Sequence, residues 1–212
     1  MEVLELAGTV IFAISGVIAV ASVRLDWFGA VVVGVVTAIG GGSIRDVILG
    51  ATPVFWVANV GYLIAAILGG VVAIPLARRL AKGAPRRFDE TLQLADAAGL
   101  ALFVVVGAQI SLQLGFDARV AVVAAIITGV GGGVIRDLLA DRTPLILSGE
   151  IYATAALAGA IVYVMLHEYT SLSDWFATLM GAVSVFGLRV LGIRRQWALP
   201  ALTPPEKRPW PG

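Results

Sequence analysis

The 212 residues are 59% hydrophobic and 14% charged, with a mean hydropathy of +0.95, which is too apolar for a soluble domain of this length and points to an integral membrane protein. The absence of cysteine excludes disulfides and thiolate metal sites. The formal net charge of +1 gives no signal for a nucleic-acid partner.

The chain opens MEVLELAGTV, acidic where a secretory signal would be basic, and is expected to stay on as the first membrane segment. Roughly 20 apolar residues cross a bilayer. Seven segments meet that length: about 3–23, 27–49, 54–77, 91–113, 118–140, 148–167 and 173–193. Trp27, Trp56, Trp175 and Trp197 fall near their ends, at the level amphipathic rings prefer. Thr52-Pro53 and Thr143-Pro144 read as N-cap followed by N1 proline, opening the third and sixth segments. The fold class is therefore an all-α integral membrane protein of seven transmembrane helices. It divides into residues 1–77, a basic cytoplasmic loop at 78–90, residues 91–167, a seventh helix in 168–195, and a proline-rich disordered tail at 196–212. His167, beside Glu168 near a helix end, reads as a solvated interfacial histidine.

Orientation follows from the basic residues. Arg24, Arg78, Arg79, Lys82, Arg86, Arg87, Arg142, Arg194, Arg195, Lys207 and Arg208 fall on one side, and the opposite loops hold Arg119. By the positive-inside tendency the loaded side is cytoplasmic, so the N-terminus faces out and the C-terminus in. Arg189 is close enough to the inner end of the seventh segment to snorkel to that interface.

Two near-copies dominate the chain: TAIGGGSIRDVILGATP at 37–53 and TGVGGGVIRDLLADRTP at 128–144. The offset of 91 residues also matches Glu5 to Asp96, Gly8 to Gly99, Phe12 to Phe103, Gly16 to Gly107 and Asp26 to Asp117 without a gap. A repeat of three crossings is odd in number, so the second copy enters from the other side, giving two inverted three-helix repeats plus a seventh helix.

Inversion brings Gly40, Gly41 and Gly42 against Gly131, Gly132 and Gly133 near mid-membrane, with the charged pairs in opposite halves. Read as breaks, the triplets free carbonyls and N–H groups to line an aqueous path. Those carbonyls, with the hydroxyls of Thr37, Ser43 and Thr128, suit a hard monovalent cation. Read as packing devices, they let backbones approach closely. Ser43 to Asp46 also fits the S-x-x-D cap of a restarted half-helix. Arg45 and Asp46, like Arg136 and Asp137, are sequence neighbours about 100° apart on a helix, so partners on other helices are expected. An intramembrane ionisable residue is by default a functional candidate. Glu5 and Asp96 share faces with Gly8, Phe12 and Gly16 and with Gly99, Phe103 and Gly107. They read as acids at opposite pore mouths, or as the wet ends of small-residue packing seams. No nucleophile–base constellation or nucleotide loop points to an enzyme.

The doubled G-G-G-x-x-R-D module and the six-plus-one helix pattern resemble the trimeric intracellular cation channel family, in particular its compact prokaryotic members, over about residues 3–195. The resemblance implies a homotrimer in the lipid bilayer of a bacterial inner membrane, with a potassium-permeable pore in each subunit and no cofactor beyond the permeant K+. Carried over by position, Gly40–Gly42 and Gly131–Gly133 match the kinks of the pore helices, and Arg45-Asp46 and Arg136-Asp137 the polar pairs. The Lys-Glu-Val motif of animal members is absent, which removes the basis for inferring phosphoinositide dependence or a role in calcium stores. Bacterial sequences with this repeat are also described as glycine transporters. The alternative is therefore a secondary transporter of a small amino acid such as glycine, its carboxylate at half-helix N–H groups or arginine.

Overall fold

The structure is a computed structural model that describes residues 2–21, 23, 25–83, 85–147 and 151–197. Among these residues it is entirely helical: α1 (Glu2–Ala19), α2 (Trp27–Leu49), α3 (Phe55–Ala58), α4 (Gly61–Ala81), α5 (Pro85–Gln113), α6 (Ala118–Leu139), a 3-10 turn at Leu145–Leu147, α7 (Ala153–Tyr169) and α8 (Asp174–Arg195). Six of the helices are long and apolar enough to cross a membrane, and α7, at 17 residues, is a shorter apolar helix. The tail from 198 onward, Arg24 and residues 148–150 lie outside the described residues.

Local chemistry sets most boundaries. Asp26 caps α2, its carboxylate accepting from the Gly29 N–H at 2.7 Å, and Ser173 caps α8 through the Phe176 N–H at 3.3 Å. Gly50 ends α2 at φ 68°, the left-handed conformation a helix C-terminus favours and glycine adopts without strain. The expected basic loop is mostly helix, since α4 runs through Arg78 and Arg79 and α5 begins at Pro85.

Thr52-Pro53 and Thr143-Pro144 do not open long helices. Phe55–Ala58 is a single turn ahead of α4, and Leu145–Leu147 a single turn ahead of α7. The carboxylates of Asp46 and Asp137 serve these turns instead, accepting from the Phe55 N–H at 2.8 Å and the Leu145 N–H at 3.0 Å.

Helices α1 and α5 form the centre. Helix α1 packs on α2, α4 and α5, and α5 on α1, α6, α7 and α8, while α2 crosses α6. Phe12 and Phe103, 91 residues apart in sequence, meet between α1 and α5 with ring centroids 5.1 Å apart, and both are buried. Each seats against the glycine equivalent to the other's: Phe12 against Gly99, Phe103 against Gly8. The outward faces of α4 and α8 carry apolar side chains such as Ile64, Leu68, Val72, Leu179, Val183 and Phe186, as helices that meet lipid or another subunit do.

Candidate functional site

The glycine triplets do not break their helices. Helix α2 runs without interruption through Gly40–Gly42, and α6 through Gly131–Gly133. Their work is close approach: a Cβ on Gly41 would overlap the Thr128 carbonyl oxygen and sit 3.1 Å from the Gly132 nitrogen, and a Cβ on Gly132 would overlap the Thr37 carbonyl oxygen. Continuous helix keeps backbone groups satisfied away from water, which outweighs glycine's intrinsic preference of about 1 kcal/mol against helix. The small side chains then let the two backbones touch.

Thr37 and Thr128 are fully buried at this crossing, and their hydroxyls donate back to Val33 O at 2.7 Å and Ala124 O at 2.6 Å. Ser43 does the same to Ile39 O at 2.7 Å and accepts from the Trp56 indole N–H at 3.0 Å. With no restarted half-helix to cap, the Ser43–Asp46 spacing is not an N-terminal motif here.

A buried charged cluster lies at each end of the crossing. At the α1 N-terminal end, Arg45 donates from Nε to Asp46 Oδ1 at 2.8 Å, and its Nη2 lies 2.7 Å from the same oxygen and 3.6 Å from Glu5 Oε1. The Tyr62 hydroxyl donates to Glu5 Oε2 at 2.8 Å, and the guanidinium carbon stands 5.6 Å from the Phe55 ring centroid. At the opposite end, Arg136 donates to Asp137 Oδ1 at 2.9 Å, to Asp96 Oδ1 at 2.6 Å and to Ser15 Oγ at 2.6 Å, and Tyr152 donates to Asp96 at 3.2 Å.

The expected partners on other helices are present, Glu5 at Arg45 and Asp96 at Arg136, but each arginine also pairs with its neighbouring aspartate, which the angular spacing argued against. The guanidinium stem is long enough to fold back onto the adjacent carboxylate while its far nitrogen reaches another helix. Each aspartate also keeps its second oxygen for the turn beyond its helix, so one carboxylate fixes both an arginine and a chain reversal. The offset of 91 places Glu5 and Asp96 in equivalent roles at the two arginines.

A family profile described as glycine transporter matches residues 2–78 and 93–168, two stretches that begin 91 residues apart like the sequence repeat. Among curated proteins, the UPF0126 inner membrane protein YadS of Escherichia coli K12 is 42% identical over 198 residues, covering 93% of each chain. A UPF0126 membrane protein of Deinococcus radiodurans is 42% identical over 207 residues, covering 96% of this chain and 92% of its own. The solved structure of the TRIC trimeric intracellular cation channel orthologue from Rhodobacter sphaeroides is 36% identical with a TM-score of 0.85, covering 92% of this chain and 98% of that one. The chain belongs to the trimeric intracellular cation channel family.

In this family member a cavity of about 240 Å³ reaches the Arg136 end of the crossing, lined by Asp89, Gln93, Arg136, Asp137, Arg142 and Thr143 among others. At its rim Arg142 pairs with Asp89 at 2.7 Å and stacks over Phe88, 5.6 Å from the ring centroid. Arg189 does not snorkel to the interface. It is fully buried, donates to Ile151 O at 3.1 Å and lies over the Tyr152 ring at 4.8 Å from the centroid. A carbonyl and an aromatic face near the second cluster hold it where the sequence suggested only a helix end. His167 is exposed as expected and contacts Asp174 Oδ1 at 2.9 Å while stacking on Tyr163.

Sequence reasoning did not single out Ser15, Tyr62 or Tyr152. The tyrosines carried a usable signal, since they stand at nearly equivalent places ahead of or at the start of the third helix of each repeat. Ser15 carried none, because the equivalent position in the second repeat is Val106.

Proposed function

We propose that the protein is a cation channel, permeable to potassium, in which each subunit of a homotrimer carries its own path along the crossing of α2 and α6. The observation that carries this reading is the pair of buried Arg–carboxylate clusters at the two ends of one glycine-lined crossing, on a chain 36% identical to a solved trimeric intracellular cation channel. A bare guanidinium in a cation path would repel the permeant ion by several kcal/mol at short range. Here each arginine is held by two carboxylates, so no uncompensated positive charge faces the route. Thr37, Gly40, Gly41, Gly42, Ser43 and Arg45-Asp46 line it on α2, and Thr128, Gly131, Gly132, Gly133 and Arg136-Asp137 on α6, with Glu5 and Asp96 at the mouths.

In the packed structure, contact between the glycine backbones closes the crossing, so conduction requires the two helices to part there. Residues 1–77 and 91–167 act as the two inverted halves, and 168–195 as the added helix. The protein resides in a bacterial inner membrane with its N-terminus outside and its C-terminus inside, an orientation supported by the distribution of Lys and Arg.

Purified protein reconstituted in planar bilayers under a potassium gradient tests the reading. Unitary current steps that reverse near the potassium equilibrium potential are expected. Saturable glycine uptake without such steps would move the conclusion to a glycine transporter, the activity for which the matching profile is described.

A further inference from the structure

Two spaces meet at the N-terminal half of α5. On one side lies the cavity of about 240 Å³ beside Arg136 and Asp137, and on the other a groove of about 1030 Å³ runs between α5 and the C-terminal end of α8, past Arg86, Glu90, Arg194 and Trp197. Asp89 and Gln93, one helical turn apart on α5, line both, and among the described residues no other does. They form the threshold between groove and cavity. An ion pair spans it: Arg142, from the segment after α6, reaches Asp89 Oδ1 at 2.7 Å and packs over Phe88. The Arg142 backbone N–H donates to Asp137 O at 2.9 Å, which hangs this segment on the end of α6 beside the Arg136 cluster. The bridge thus ties α5 to the helix that must part from α2.

Exposure separates this pair from the ones behind it. The side chains of Arg136, Asp96 and Asp137 are at most 4% exposed, whereas those of Arg142 and Asp89 are 35% and 48% exposed. A half-exposed ion pair holds its partners weakly and reopens readily, while a buried one is costly to break. The Asp89–Arg142 bridge is therefore the movable contact at this end. Nothing equivalent stands at the Glu5 end, because the offset of 91 takes Arg142 to Ala51, which carries no charge.

We infer that the α5–α8 groove is the entrance to the cation path at the Arg136 end, and that the Asp89–Arg142 pair is its latch. A monovalent cation passes from groove to cavity by taking the place of Arg142 at the Asp89 carboxylate, in a space with room for several waters around it. Arg86 and Glu90, which flank the groove, pair with each other at 2.8 Å and leave Asp89 as the acid of the threshold. The inference rests on the cation-channel reading for what enters, and the latch itself does not.

The full chain in lipid nanodiscs tests the latch without any current. A thiol at Leu92→Cys, which lines the cavity and not the groove, should react slowly with a charged, water-soluble maleimide. Adding Arg142→Gln should speed that reaction up to about fivefold, the change expected of one half-exposed ion pair. Arg86→Cys, in the groove, should react at one fast rate in both backgrounds. Gln93→Cys, on the threshold, serves if Leu92→Cys does not assemble. In planar bilayers at low potassium, Arg142→Gln should raise the unitary conductance and Asp89→Asn lower it, the two converging as potassium rises and screens the charge. A bridge that merely braced the fold would move both variants the same way. Accelerated labelling without potassium currents would uphold the latch and overturn the channel reading. Leu92→Cys labelling indifferent to Arg142→Gln, or conductances that shift together, would overturn the inference.

Discussion

Replacing Gly41 by alanine separates the packing account of the glycine triplets from a purely local one. Judged by helix propensity alone, the substitution should stabilise α2 by about 1 kcal/mol. In the structure the new Cβ overlaps the Thr128 carbonyl oxygen, and that oxygen belongs to a helix backbone with nowhere to turn. Relief requires α2 and α6 to move apart, which loosens the Gly132 contact as well. Overpacking of this kind costs about 3 kcal/mol at the upper end of its usual range. The net loss is then about 2 kcal/mol, and an apparent melting temperature about 4–8 °C lower for a chain of this size. Gly40 is the internal control, because its added Cβ meets the Cδ1 of Ile135 at 2.6 Å, the far end of a flexible side chain that can swing aside. Gly40→Ala should melt within a few degrees of the unmodified protein. The assay is tryptophan fluorescence during heating of the purified protein in detergent, with the oligomer monitored by size exclusion. If Gly41→Ala melts as high as Gly40→Ala, the close crossing of α2 and α6 is not what these glycines are for.

Removing Arg136 leaves Asp96 and Asp137 buried together, so Arg136→Gln should cost about 3–5 kcal/mol. Arg45→Gln should cost less, since its contact to Glu5 is loose. In single-channel records both variants should change open probability while the reversal potential under potassium and chloride gradients stays put. A shifted reversal potential with unchanged opening and stability would assign the arginines to ion selection instead. For orientation, a reporter fused after Arg79 should be active only when it functions in the cytoplasm, and activity confined to the external compartment would invert the topology.

The repeat was the most legible feature of the sequence. Its single offset placed Glu5 and Asp96 before their arginines were known to meet them, and the ends of α2 agree with the segment expected at 27–49. Helix continuity through three glycines was not legible, because the local preference against helix is written in the residue type, whereas the penalty for unsatisfied backbone arises from the surroundings. The inward pairing of Arg45 and Arg136 with their neighbours escaped for a related reason. Angular spacing describes where side chains leave the helix, and a guanidinium stem is long enough to return. Arg189 looked like an interfacial residue from its distance to a helix end, and only the packing of α8 against α5 and α7 shows it enclosed beside Tyr152.

Because the chain has no cysteine, introduced thiols can test directly whether cations pass along the α2–α6 crossing inside one subunit. Thr37→Cys and Thr128→Cys place a thiol at the crossing from either helix, and Val72→Cys, on the outward face of α4 at 71% exposure, serves as the comparison. Potassium currents are recorded while a small cationic thiol reagent is applied to conducting channels. Progressive, irreversible block is expected for the two crossing positions, slowed by high potassium, and none for Val72→Cys. Currents that persist unchanged after both crossing thiols have been shown to react would place the ion path elsewhere.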